Sequence, residues 1–222
     1  MFSWGRVRQA IQPVVLKYWL NRRAEKLVHT RVEELDLQVF PGVFHPKYFG
    51  SSSILAKFVA GLPLRGKSFL EMGCGSGVVS LCAARAGAVV TAVDINPEAV
   101  SCTMANAARN NLRVDARQGD LFSSSSFARF DVIAWNPPFL PRAPRSPAEA
   151  AFYGGPHFDV IRRFVAEARS HLNPDGLVYT ILSADIDIAE IEGIFRDARF
   201  TVSPAFSTRW GLGETMVILC AR

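Results

Sequence analysis

The chain predicts an α/β fold: a seven-stranded, mainly parallel sheet with helices on both faces. Three observations carry that expectation. From residue 67 onward, short apolar runs alternate with helical patterns, as in parallel strands joined by crossover helices. Turn-forming segments stand at the carboxyl ends of two of those runs, Glu71-Met-Gly73-Cys-Gly75-Ser-Gly77 and Asn136-Pro137-Pro138-Phe139. Finally, 222 residues with 49% hydrophobic and 20% charged content suit one domain with a sizeable core rather than a disordered chain.

Residues 5–30 read as one helix, or two short ones broken near Pro13. Val14, Val15, Tyr18, Trp19 and Leu27 are its apolar positions among basic ones. Residues 34–40 alternate polar and apolar side chains, which suits a half-buried strand closed by Pro41-Gly42. Ser51-Ser52-Ser53 is placed to cap a helix over Ile54–Ala60, ended by Gly61 and Pro63. The strand Ser68–Met72 then leads through glycine turn 73–77 into helix 78–86. A second strand, Ala88–Val93, ends at Asp94, and Pro97 opens helix 97–110 from its favoured first-turn position. Leu112–Arg117 and Phe130–Trp135 are the third and fourth strands. A helix over 157–172 is stopped by Asn173-Pro174-Asp175-Gly176. Strand Leu177–Leu182, helix 185–198 and strands 200–206 and 214–220 complete the series. Segments 123–129 and 140–156 are the long loops, the second rich in proline and arginine. Two parts are expected: a basic helical extension over 1–33 and one domain over 34–222.

The net charge of +5 is concentrated in that extension. Over residues 1–31, Arg6, Arg8, Lys17, Arg22, Arg23, Lys26 and Arg31 face only Glu25, so the rest of the chain is close to neutral. With Trp4, Tyr18 and Trp19, the arm suits tracking of phosphates and stacking on bases. A solvated basic helix packed on the domain, or a membrane-surface helix, is the favoured explanation of the arm over nucleic-acid binding. No run approaches the ~20 apolar residues of a membrane span. Gln12, Pro13 and Lys17 break the amino-terminal apolar stretch, so no signal peptide is expected. Cys74, Cys82, Cys102 and Cys220 contain no Cys-x-x-Cys pair, and reduced thiols in a cytoplasmic protein are the simple reading. The scattered His29, His45, His157 and His171 give no reason to expect a metal.

The chemistry concentrates at the strand ends. Alternate glycines between strand and helix let a ligand approach the backbone closely, and the following helix aims its first amides at that ligand. The spacing is Gly-x-Gly-x-Gly, not the Gly-x-Gly-x-x-Gly of dinucleotide sites. Asp94, at the end of the second strand, suits acceptance of hydrogen bonds from both ribose hydroxyls of an adenosine ligand, or capping of the helix at Pro97. Asp120, just past the third strand, is placed to meet an adenine amino group, with Leu121 and Phe122 offering apolar surface. In Asn136-Pro137-Pro138-Phe139 the prolines fix the backbone and remove an amide donor, so carbonyls face outward as acceptors. The Asn136 side-chain oxygen and the Pro137 carbonyl together accept both hydrogens of a planar -NH2 group, while Phe139 stacks on that group.

This set resembles the class I methyltransferases, and within them the HemK-like and small-domain methyltransferases that carry Asn-Pro-Pro-Tyr/Phe. The resemblance spans residues from about 38 to 206. It implies a Rossmann-like sheet with a reversed carboxyl-terminal strand and S-adenosyl-L-methionine as cofactor. On it, Glu71, Gly73, Cys74, Gly75 and Gly77 wrap the methionine portion. Asp94, with Ile95 and Asn96, holds the ribose, and Asp120 and Leu121 meet the adenine. Phe44, Pro46 and Ser52 look like the segment that closes over the cofactor in those families, with Asn136 completing the set. Gly154-Gly155 resembles the segment that follows the catalytic loop in glutamine-modifying members. Release-factor glutamine methyltransferases of the HemK type carry a separate amino-terminal helical domain, whereas about 35 residues precede the shared region here. Position 139 is Phe where Tyr is usual.

The expected activity is therefore N-methyl transfer to a planar amide or amino nitrogen, with a protein glutamine side chain first in line. An exocyclic base amine in RNA or DNA and a small-molecule amine are the other acceptors in view. A cofactor-binding module without catalysis fits poorly beside an intact Asn136-Pro137-Pro138. A nicotinamide dehydrogenase is disfavoured by the glycine spacing.

Overall fold

In the computed structural model the described residues are 26–124, 129–211 and 213–222. Most of the helix expected over 5–30 lies outside them, as does part of loop 123–129. The end of that helix is corrected: Val28–Val32 is a strand, β1, paired antiparallel with β2, Leu35–Val39. Apolar Val28 and Val32 alternate with polar residues, and Glu33 and Glu34 make the turn at positive φ, which yields a two-residue hairpin.

The short helix α1 (Pro46–Phe49) follows, then α2 (Ser51–Ala60). From there strand and helix alternate as expected: β3 (Ser68–Met72), α3 (Val78–Arg85), β4 (Val89–Asp94), α4 (Pro97–Arg109), β5 (Asp115–Gln118) and β6 (Phe130–Trp135). The chain closes with α5 (Asp159–Ala168), β7 (Leu172–Ser183), α6 (Ile188–Asp197), β8 (Val202–Trp210) and β9 (Glu214–Ala221). Seven strands form one sheet in the order β5-β4-β3-β6-β7-β9-β8, parallel except for β9, which runs against both neighbours.

Local differences have local causes. Asn173-Pro174-Asp175-Gly176 does not separate helix from strand but bulges within β7. The pairing jumps from Phe130↔Leu172 to Val132↔Leu177, and Asn173 donates to the Asp131 carboxylate at 2.8 Å. The third strand starts at Asp115 rather than Leu112, because Asn111 turns at φ 55° and Leu112 and Val114 pack against the core first.

Period-two alternation sorts the core onto two faces. Leu70, Met72, Ile133 and Trp135 point toward Ile161 and Phe164 of α5, while Phe69, Val132 and Ile181 point toward Leu55 of α2 and Val79 of α3. The hairpin is held by side chains that imitate a strand. Asn106 accepts from the Gln38 amide and donates to the Gln38 carbonyl, both at 2.8 Å. One helical turn later Asn110 does the same to Asp36, at 3.0 and 2.9 Å. Asn106 also donates to the Ser76 carbonyl at 2.9 Å, tying hairpin, α4 and glycine turn together. Among the described residues no helix is long and apolar enough to cross a membrane, and no His/Cys/Asp/Glu group could hold a metal.

Candidate active site

The chain leaves β3 outward to β4 and β5, then returns to β6 on the other side of β3, so the sheet's switch point lies between β3 and β6. Crevices at the carboxyl ends of strands beside such a point are where open α/β sheets bind ligands. Register brings three ends level: Met72 pairs with Val93 on one side and Trp135 on the other. Gly73, Asp94 and Asn136 thus begin their loops together, around a cleft of about 240 Å³.

The glycine turn folds onto the end of β4. Gly73 and Cys74 donate their amides to the Val93 carbonyl at 2.7 and 3.0 Å, and Gly75 donates to Asp94 Oδ2 at 2.9 Å. Asp94 Oδ1 accepts from the Asn96 amide at 2.9 Å, while the cap of α4 is the Asn96 side chain, bonded to the Glu98 amide at 3.0 Å. The two readings of Asp94 thus separate: Asn96 caps, and Asp94 staples the turn. Burial pushes the Asp94 carboxyl upward against hydrogen bonds from Asn96, Gly75 and Ile95. Gly77 caps α3 at φ 79°, and a Cβ there would lie 2.8 Å from the Thr103 side chain. Only glycine fits that backbone and that contact.

Of the expected residues, Phe44, Ser52, Gly73, Cys74, Gly75 and Asp94 line the cleft, as do Ile95, Asn96, Asp120, Leu121, Asn136 and Pro138. The others stand behind. Glu71 is buried and points under α3, accepting from the Ser80 amide at 2.7 Å and from the Ser80 hydroxyl. Desolvation lifts its carboxyl to about 8 despite those bonds. Pro46 is buried at the start of α1, where its carbonyl accepts from Ser53 at 2.8 Å. Pro137 is buried. Phe139 packs half-buried on the core, and the aromatic ring on the cleft wall is Trp135, tilted by 31° against Phe164 with ring centroids 4.0 Å apart.

The serine cluster does not cap α2, whose N-cap is Gly50 with no side-chain bond. Instead Asn136 Nδ2 donates to Ser51 Oγ and to Ser52 Oγ, each at 3.0 Å. Sequence reasoning missed Trp135 and Arg163 as lining residues. Arg163 donates to Asp120 at 2.7 Å from one turn into α5. Helical spacing gave no sign of that pairing; Trp135, directly before Asn136, was in plain view. Loop 140–156 is fixed against the corner by Leu140, which donates to Phe152 and accepts from Gly154 at 2.9 and 3.1 Å. Phe152 meets Phe44 across the rim, their centroids 5.3 Å apart.

The cleft suits an adenosyl sulfonium. It offers a carboxylate at the end of β4 and apolar Val93, Ile95, Ala99 and Leu121 for a purine. Backbone turns line the remainder, and the Asn136 carboxamide is part of the wall.

Comparison with known proteins agrees. The family model for the methyltransferase small domain matches residues 34–203. A Methanocaldococcus jannaschii chain named as a protein N5-glutamine methyltransferase is 31% identical over 193 residues, covering 84% of this chain and 95% of that one. The ribosomal RNA small subunit methyltransferase C of Alcanivorax borkumensis is 35% identical over 150 residues, covering 66% of this chain and 42% of that one. This chain therefore spans less than half of that longer relative. Among solved structures, a T. thermophilus 16S rRNA N2 methyltransferase in complex with AdoMet and guanosine superposes with a TM-score of 0.68. It is 23% identical and covers 89% of this chain and 50% of that one, a likeness of fold. The chain belongs to the methyltransferase small-domain family and is an S-adenosylmethionine-dependent methyltransferase.

Proposed function

We propose that the protein methylates a planar amide nitrogen, with the glutamine side chain of a protein as acceptor. The carrying observation is the Asn136 carboxamide. Both of its N–H groups are engaged by Ser51 and Ser52, so its oxygen is what it offers to the cleft that the glycine turn also lines. The relative with a near-complete match over its own length is named for that reaction.

In this reading Asn136 Oδ1 and the Pro137 carbonyl accept the two hydrogens of the acceptor -NH2. Pro137 and Pro138 keep that corner from relaxing, and Phe139 supports its flank. Glu71, Gly73, Cys74, Gly75 and Gly77 shape the cradle for the methionine portion. Asp94, Ile95 and Asn96 take the ribose, Asp120 and Leu121 the adenine, and Phe44, Pro46 and Ser52 close the rim. S-adenosylmethionine supplies an electrophilic methyl on sulfur. The protein contributes alignment and exclusion of water, and alignment alone is worth roughly 7–11 kcal/mol of a barrier. The two oxygens also stabilise the positive charge that develops on nitrogen, and the proton then leaves to water. A cytoplasmic site of action and a protein partner go with this reading.

A second reading is methylation of an exocyclic base amine in RNA, supported by the relative named for ribosomal RNA. A base amine presents the same flat pair of hydrogens. Incubation with methyl-labelled S-adenosylmethionine and cell extract, fractionated into protein, nucleic acid and small molecules, separates the two. Label in protein, freed as methylamine on acid hydrolysis, supports glutamine. Label in RNA moves the assignment to the base amine, and label in neither overturns both.

A further inference from the structure

We infer that Trp210, at the end of β8, is a positioning residue for cofactor binding: its indole ring lies on Gly50 and holds the corner between α1 and α2. The inference rests on the assignment of Phe44, Pro46 and Ser52 to the rim that closes over the cofactor. It adds what keeps that rim in place.

The strand that carries Trp210 reaches the cleft end of the sheet. β9 runs against β7, and β8 runs against β9, so β8 points the same way as the parallel strands. Met216 pairs with Ser183, the last residue of β7, and with Thr208 of β8, so Arg209 and Trp210 extend past the end of β7. Over this stretch β8 runs beside α2. The rings of Phe206 and Phe58 have centroids 6.1 Å apart, and Trp210 lies on Gly50. Eight helical residues rise about 12 Å and four strand residues about 13 Å, so strand and helix stay in step. Each end of α2 is thus met by one ring of β8.

Gly50 is where that contact bears on the cofactor. It ends α1 and caps α2 at φ 71°, and its carbonyl accepts the first bond of α2, from the Ile54 amide at 2.9 Å. A Cβ there would overlap the ring carbons of the indole and lie 2.7 Å from Nε1. The ring therefore rests directly on the backbone of the corner, with no side chain between. The corner is tied to itself: Ser53 donates to the Pro46 carbonyl at 2.8 Å, and the His45 ring accepts from the Lys47 amide at 3.2 Å. With four residues, α1 is too short to hold its own shape. Contacts from outside must place it, and Trp210, partly buried on the core, bears on its last turn. Trp210 does not itself line the cleft, so it reaches the cofactor through the corner. The match to the family model ends at residue 203, so this hold lies beyond the matched region.

The test compares Trp210→Ala and Trp210→Phe with Phe206→Ala, which trims the ring at the other end of α2. Adenosylhomocysteine affinity is read by calorimetric titration, and backbone hydrogen exchange is followed over residues 44–56 beside β3 and β6. If the corner keeps its binding shape only about a tenth of the time without the indole, the apparent Kd rises about tenfold. Trp210→Ala should show that rise, with faster exchange over 44–56 and none across β3 and β6. Trp210→Phe, which keeps a flat ring for Gly50, should recover most of the affinity, and Phe206→Ala should bind as wild type. Trp210→Leu, which keeps apolar bulk without the flat face, carries the same prediction if Trp210→Ala does not fold. A Kd within about twofold of wild type in the folded variant overturns the inference. An equal rise in Phe206→Ala also overturns it, since the effect would then be general packing of α2. Phe44→Ala tests the rim separately: unchanged affinity there beside weakened binding in Trp210→Ala removes Phe44 from the rim and leaves the hold on the corner standing.

Discussion

Gly154 lies flat against the carbonyl of Pro138: a Cβ built on Gly154 would overlap that oxygen. The loop that follows the diproline corner therefore returns to brace it, with Gly154 donating to the Leu140 carbonyl at 3.1 Å and accepting from Val160 at 3.0 Å. Backbone on both sides leaves an added methyl nowhere to go. Gly154→Ala should lower stability by about 1–3 kcal/mol and reduce turnover along with it, since Pro138 must move. Gly193, inside α6 with nothing within 4 Å of its would-be Cβ, is the contrast. Gly193→Ala should raise stability by about 0.5–1 kcal/mol and leave activity alone. Thermal melts of the two variants check both signs.

Asn136 should matter for rate and not for cofactor affinity. Its oxygen is assigned to the acceptor nitrogen, where charge develops only as the methyl moves. Asn136→Ala is expected to lower turnover by about 10²-fold or more with adenosylhomocysteine affinity unchanged. Single-turnover kinetics beside calorimetric titration give the two numbers. Full turnover in a folded variant removes the carboxamide from the mechanism.

Asp94 should show the reverse pattern. It holds Gly75 and Asn96 by their amides, and the same carboxylate is assigned to the ribose hydroxyls. Asp94→Asn removes the charge and turns one of the two acceptor oxygens into a donor that faces a backbone N–H, of Gly75 or of Asn96. Loss of charge-assisted hydrogen bonds of this kind corresponds to about 1.5–3 kcal/mol, or roughly 10- to 100-fold in Kd. Calorimetric titration with adenosylhomocysteine reads it directly. A Kd within about twofold of wild type would mean that the ribose is held elsewhere.

How much of this was legible in the sequence follows from what kind of interaction each element rests on. The parallel strands and their helices were readable because burial on both faces writes continuous apolar runs, as in Phe130–Trp135. The glycine turn and the diproline corner were readable because backbone constraints admit few residue types. Contacts between distant side chains left no such trace. Ser51-Ser52-Ser53 looked like a cap because serine at a helix start usually is one. Only the fold shows Asn136 beside it, 85 positions away in the chain. The pairing of Asp120 with Arg163 and the Asn106 and Asn110 ladder onto β2 were hidden for the same reason. Residues 28–30, the start of β1, read as the end of a helix because a five-residue strand carries little periodicity of its own, and its partner β2 decides the matter.

Glu71 gives the last prediction, one of pH. Its carboxyl stands at about 8 in the folded protein against an ordinary value of 4.5. Burial is the main cause. The hydrogen bonds from the Ser80 hydroxyl and amide oppose it, and the Asp94 carboxylate adds a smaller upward push. Between those two values the folded protein keeps a proton that the unfolded chain has released. Stability therefore falls as pH rises from about 4.5 to about 8 and levels off above. Asp94, also shifted upward by burial, contributes a slope of the same sign above its own ordinary value. Glu71→Gln keeps an oxygen for the Ser80 amide and is neutral at every pH, so it imitates the protonated acid. Its melting temperature should depend less on pH than that of the wild type, and should exceed the wild-type value near the upper end of the window. Because the working form is already neutral at pH 7, adenosylhomocysteine affinity should change little. Melting curves of both proteins across the window settle it: parallel slopes would show that Glu71 is ionised beneath α3, and a collapse of cofactor affinity in Glu71→Gln would show that the charge itself is required.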